Sequence, residues 1–251
     1  IVFFGDSVFG NYQDFASIPG VIGALTKASV HNRAIGGSSA TQLTPDDKSF
    51  PSAVQRFLSE DTAEISGEKK LCFVINYGLN DYFTGYTVEQ YRDGLQAGVQ
   101  SLQDAYPDAE ILIASSNFIT AFDNGTAFNN DLDETLNDYV TGAEETAAAM
   151  NVFFLNTNEA LQWNPQNAAC YLVDAVHPTK RDVPVWHSNY KGFRGGYFFL
   201  SCTLISFPSC TSITWSSVSA RSICRHPAGI RSTSPVFTLR SSPSITARPS
   251  P

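Results

Sequence analysis

Long apolar runs, paired cysteines and, past residue 182, acidic residues are what this 251-residue chain lacks. No Asp or Glu follows Asp182, although 24 precede it or fall on it. No apolar run approaches the roughly 20 residues a membrane span requires. The longest candidate, residues 197–207, is short and broken by Ser and Thr. The five cysteines (72, 170, 202, 210 and 224) include no C-x-x-C pair and no His at zinc-site spacing. An odd count in a chain this long does not read as a disulfide scaffold. Cys72 lies inside an apolar run and reads as a buried, inert thiol. The chain opens on Ile-Val-Phe-Phe without the basic stretch of a secretory leader, and the compartment stays open.

What is present is an ordinary globular composition, 43% apolar and 16% charged. The net charge of −8 argues against a nucleic-acid partner, since phosphate backbones are held by clustered Lys and Arg. Charge is also segregated along the chain. Residues 1–182 hold nine Lys and Arg against the 24 acids, a net −15. Residues 183–251 hold seven Lys and Arg and no acid, a net +7, with 15 Ser among 69 residues. This divides the chain into a patterned domain over 1–182 and a basic, Ser-rich tail over 183–251. The tail offers little periodic apolar pattern from which to build a core, and it is expected to be poorly ordered.

Within the first part, short apolar runs recur at residues 1–4, 30–35, 71–75, 111–114 and 152–155. Each is rich in β-branched or aromatic residues, as buried parallel strands are. Between them the spacing turns helical. Val88, Tyr91, Leu95, Val99, Leu102 and Tyr106 fall at steps of three and four, one apolar stripe on a helix. Residues 131–150, rich in Ala and Glu, predict another. Strands alternating with helices imply an α/β fold with a parallel sheet covered on both faces. Ligands of such sheets bind at the carboxyl ends of the strands.

Four strand ends carry chemistry-bearing residues. The first runs into Gly5-Asp6-Ser7, where a Gly permits a tight turn and the Ser hydroxyl can stand at the top of the sheet; a helix N-cap is the plainer alternative. The second runs into Gly36-Gly37-Ser38-Ser39, which either turns a backbone N–H toward an anion or forms a flexible loop. The third runs into Gly78-Leu79-Asn80-Asp81, where Asn80 either donates to developing negative charge or caps a turn. The last is Asp174-Ala175-Val176-His177-Pro178, a carboxylate close enough to hold one imidazole nitrogen and set its tautomer. Tyr77, Tyr82, Phe83 and Tyr86 near the third block suit either a platform for sugar or acyl groups or plain packing.

In identity, order and approximate spacing these four blocks resemble the SGNH, or GDSL, hydrolase family, over residues 1 to about 180. No G-x-S-x-G elbow competes with that resemblance. It implies a three-layer α/β/α sandwich around a parallel sheet of about five strands, flavodoxin-like in arrangement. It also implies a serine esterase with Ser7 as nucleophile, His177 as base and Asp174 as its orienter. The oxyanion hole would comprise the backbone N–H groups of Ser7 and Gly37 and the side chain of Asn80. No metal or organic cofactor is implied. The expected substrate is a small-molecule or carbohydrate ester with a short or acetyl acyl group. The rival expectation is an inactive member of the same fold that binds glycan or peptide.

The chain departs from the family after His-Pro. There the family continues with a helix that covers the sheet, whereas the basic tail offers no capped amphipathic helix and reads like a shifted reading frame or appended sequence. Asn124-Gly125-Thr126 fits a glycosylation sequon, meaningful only in a secreted eukaryotic protein.

Overall fold

Strands β1 (Val2–Gly5), β2 (His31–Asn32), β3 (Cys72–Asn76), β4 (Glu110–Ala114) and β5 (Phe153–Leu155) form one parallel sheet in the order β2-β1-β3-β4-β5. The computed structural model describes residues 1–10, 17–68, 70–121 and 130–178, all within the first of the chain's two units, Ile1–Ala220. The tail over 183–251 and the sequon at 124–126 lie outside the described residues. β1 and β3 are buried at every position, which is why their runs are continuously apolar and do not alternate. Cys72 is buried with them.

Helices α1 (Ser7–Gly10), α2 (Ile18–Thr26), α3 (Phe50–Arg56), α4 (Leu79–Thr84), α5 (Val88–Ala105), α6 (Leu136–Ala149) and α7 (Thr157–Leu161) fill the connections. The crossover from β1 to β2 runs one way across the sheet, and the later ones run the other way. Right-handed connections therefore place α2 on one face and α3, α5 and α6 on the other, giving three layers. The main core joins the strands to these helices through stacked aromatics: Phe4 meets Phe50 and Phe57 edge-on at 5.6 Å. Among the described residues no helix is long and apolar enough to cross a membrane.

The expected elements need two adjustments. The helix expected over 131–150 begins only at Leu136. Asn130 Oδ1 accepts from the N–H groups of Leu132 and Glu134, and Asp133 takes φ +62, so those residues form a turn. Thr135 then caps the helix in a box with Asp138. At the sheet edge, β2 is shorter than the run over 30–35. The N–H groups of Arg33 and Ile35 still bond to the carbonyls of Phe3 and Gly5, so the chain tracks β1 as far as the glycine loop.

The order β2-β1-β3-β4-β5 reverses direction between β1 and β3. In a parallel sheet that point opens a crevice at the carboxyl ends of the two strands. β1 is followed there by Ser7 and β3 by Asn80.

Candidate active site

Ser7 is the first residue of α1, delivered directly by the buried β1. The turn depends on Gly5, because a Cβ there would stand 2.9 Å from both the Asn76 carbonyl oxygen and the Phe9 ring. Asp6 steadies it from beneath: its Oδ1 accepts from the Val8 N–H at 2.8 Å. The Ser7 Oγ lies 2.7 Å from His177 Nε2, across 170 residues of chain.

His177 sits in a tight loop that Asp174 organises. The Asp174 Oδ1 accepts from the N–H groups of His177 and Val176 at 2.8 and 3.2 Å, while Oδ2 lies 2.7 Å from His177 Nδ1. Partial burial pushes this carboxyl up, but the His177 N–H, the imidazole and the Val176 N–H outweigh it and hold Asp174 below the ordinary carboxylate range. An ionised carboxylate only accepts, so Nδ1 is the donor toward it, and in the neutral ring Nε2 is left to accept from the Ser7 hydroxyl. Ala175 takes φ +70, a left-handed conformation that lets the loop double back between the two side chains.

The glycine loop lies alongside. A Cβ on Gly36 would stand 3.9 Å from that of Ser7, so the loop passes directly beside the hydroxyl-bearing residue. Gly37 takes φ +74 with open space around it. Among the described residues neither the Ser7 nor the Gly37 N–H reaches an acceptor. Asn80, one residue into α4, donates from Nδ2 to the Ser38 carbonyl at 2.8 Å. That bond uses one of its two amide hydrogens and leaves the other unassigned. Gly78 before it takes φ +124, and a Cβ there would meet the Ser116 Oγ at 2.7 Å.

Two groups in this neighbourhood have roles that sequence reading leaves unseen. Asp81 is fully buried and accepts from the Ala40 N–H, the Thr41 N–H and the Thr41 hydroxyl at 2.7 to 2.9 Å, tying the exit of β3 to the loop after β2. Ser38, also buried, donates its hydroxyl toward the Gly5 and Ile35 carbonyls, fastening the same loop to the exit of β1. A Gly-x-Asn-Asp string points to Asp81, but only the fold shows what it holds.

All the residues singled out from the sequence, Ser7, Gly37, Asn80, Asp174 and His177, come from blocks that the fold gathers at the carboxyl end of the sheet. The aromatic group divides. Tyr77 and Tyr82 are each 1% exposed and belong to the core, which removes them from any platform. Phe83 is 44% exposed and Tyr86 is intermediate.

Comparison with known proteins agrees with this fold. The GDSL-like lipase/acylhydrolase family matches residues 3–181. A crystal structure of a Lactobacillus plantarum protein superposes with a TM-score of 0.59 at 21% identity, covering 76% of this chain and 94% of that one. A member of the lipolytic G-D-S-L family from Veillonella parvula gives 0.54 at 15% identity, over 77% of this chain and 96% of its own. A protein named TesA gives 0.52 at 16% identity, over 76% and 95%. At these identities the structures speak for the fold alone. No curated protein sequence matches the chain.

Proposed function

The chain belongs to the GDSL-like lipase/acylhydrolase family, whose members hydrolyse esters, and from that premise we propose that it is a serine esterase working through an acyl-serine intermediate. The observation that carries the reading is the unbroken hydrogen-bond chain from Ser7 Oγ to His177 to Asp174, both links at 2.7 Å.

His177 Nε2 takes the hydroxyl proton as Ser7 Oγ bonds to the ester carbonyl carbon, and the carbonyl π electrons move onto oxygen. Asp174 stabilises the imidazolium that results. The oxyanion is met by the Ser7 and Gly37 N–H groups and the second Asn80 amide hydrogen. One such donor contributes about 2.7–4 kcal/mol to the transition state. Collapse breaks the carbon–alkoxy bond, and His177 returns its proton to the leaving alcohol. Water, deprotonated by the same nitrogen, then releases the acid and regenerates Ser7.

The proposed substrate is a small-molecule or carbohydrate ester with a short or acetyl acyl group. In favour of a small group, the ground beside Ser7 is formed by Gly36 and Gly37, both exposed and without side chains.

Hydrolysis of p-nitrophenyl acetate by the full chain, beside Ser7→Ala, tests the reading. Activity that falls at least about 1,000-fold in a folded variant supports it, given the scale of loss when a triad member is removed. Activity equal in both, or absent from a folded wild type, refutes it. Esters of increasing acyl length test the preference, which is expected to decline beyond about four carbons.

A further inference from the structure

The loop bearing Asp174 and His177 is gripped from outside by a second segment, residues 117–120, where the chain leaves β4. The Thr120 N–H donates to the Ala175 carbonyl at 2.8 Å. Asn117 donates from Nδ2 to the Val176 carbonyl at 3.1 Å and to the Phe118 carbonyl at 2.9 Å. Two consecutive carbonyls between Asp174 and His177 are thus held by one neighbouring segment. Asn117 is the side chain in that grip, and it bonds to the residue immediately before His177.

Asn117 is also expensive to keep. It is 1% exposed, and its Oδ1 is buried with no hydrogen-bond partner among the described residues. A buried acceptor left unpaired carries a desolvation penalty, and such groups call for an explanation. The amide cannot turn over to find a partner, because that would aim Oδ1 at two carbonyl oxygens. A side chain serving only to fill this space would be apolar. The explanation that fits is the bond to Val176, which fixes where the following imidazole stands.

From these contacts we infer that Asn117 is a positioning residue for His177, holding the ring at hydrogen-bond distance from Ser7 by anchoring the Val176 carbonyl. This rests on the esterase reading for its kinetic consequence but not for its structural one. With the anchor gone, the loop keeps its Asp174 bonds and the Thr120 bond, so the ring is displaced without being lost. Substrate binding beside Gly36 and Gly37 does not involve the anchor. The expected signature is therefore a fall in kcat with KM preserved, since geometric misplacement of a catalytic group is felt in the chemical step.

The test compares the full chain with Asn117→Leu, which keeps the approximate size and removes the donor, and with Asn117→Ala should the first fail to fold. Two readouts are taken on folded protein: kcat and KM on p-nitrophenyl acetate, and the His177 imidazole N–H resonance by 1H–15N NMR, identified by its absence in His177→Gln. The expected result is a 10- to 100-fold lower kcat, KM within about twofold, and a broadened or shifted His177 resonance. An unchanged kcat and resonance in a folded variant overturns the inference, as does a loss confined to thermal stability. If wild type shows no esterase activity, the proposed function fails by itself, and the resonance still decides whether Asn117 sets the ring.

Discussion

Asp6 and Asp81 are two carboxyl groups buried near Ser7 and close enough to repel each other. Burial, only partly offset by the Val8 N–H and reinforced by Asp81, raises Asp6 from its ordinary 3.8 to about 7. Its Oδ2 has no partner among the described residues, which is consistent with a carboxyl that keeps its proton. The folded state therefore binds a proton that the unfolded state releases near 3.8. That contribution to stability is fully present below about pH 4 and is lost as pH rises through 7. Denaturant unfolding from pH 5 to 8 should show stability falling, and Asp6→Asn should flatten the slope. Over three pH units the effect is on the order of a few kcal/mol. A slope unchanged in the variant would mean that Asp6 is ionised throughout. Asp81 is also raised, by burial against its three donors, so some slope should survive the substitution.

At the scale of elements, helix α5 shows what a buried face can demand. Its stripe of Tyr91, Leu95, Val99 and Leu102 is legible in the sequence and is buried as expected. Gly94, on the same buried side, is not explained by the stripe. A Cβ there would stand 2.1 Å from the Ala40 carbonyl oxygen, because the loop clamped by Asp81 rides directly on the helix backbone. Backbone cannot yield as a flexible side chain can. Gly94→Ala should cost about 1–3 kcal/mol in denaturant unfolding, against the small gain such a change brings to an exposed helix. Activity should fall with it, since Ala40 and Thr41 steady Asn80 through its neighbour. A variant as stable and active as wild type would show that the loop is free to lift.

The same contrast separates what sequence reading reaches here from what it misses. Strands β1 and β3 are legible because burial on both faces demands unbroken apolar runs, and the blocks with Ser7, Gly37 and Asn80 are legible because they follow the exits of β1, β2 and β3. Gly78 and Gly37 sit in recognisable strings, and their positive φ values agree with them. Asp81, Ser38 and Asn117 act on backbone groups of distant segments. Apart from the Thr41 hydroxyl, those partners are main-chain atoms, identical at every residue, so no pattern in the side-chain sequence marks them. The start of α6 is missed for a nearer reason: residues 131–134 run into the helical sequence without a Gly or Pro break, and the Asn130 turn diverts them. Tyr77 and Tyr82 illustrate the converse, polar-tipped rings that composition places equally well at a site or in a core.

For the described part of the molecule, packing divides into two apolar clusters. The large one joins the sheet to its helices, and a small one contains Phe118, Leu161, Trp163, Ala168, Tyr171 and Leu172. Trp163 and Tyr171 stack with centroids 5.5 Å apart and planes 5° from parallel. Leu172 bridges to Pro178, closing the loop that contains Asp174 and His177. The loop with Asp174 and His177 thus joins the smaller cluster through Leu172, while its Val176 packs against the larger one that also holds Val8 and Phe9 beside Ser7. Truncation of a buried Trp costs about 3–5 kcal/mol, and here the cost should fall locally. Trp163→Ala should raise hydrogen exchange and proteolytic cutting around residues 163–178, with β1 and β3 still protected, and lower kcat. Loss of protection throughout the sheet would show that the two clusters melt as one.

The 170 residues that separate Ser7 from His177 also place the chemistry in time. A ribosome makes Ser7 well before His177. β1, moreover, lies inside the sheet and cannot pair with β3 until residue 76 has emerged. While those 170 residues are being made, the nascent chain carries a serine that lacks its imidazole partner. On the proposed reading, reactivity waits until the loop with Asp174 and His177 has been made and closes on Ser7.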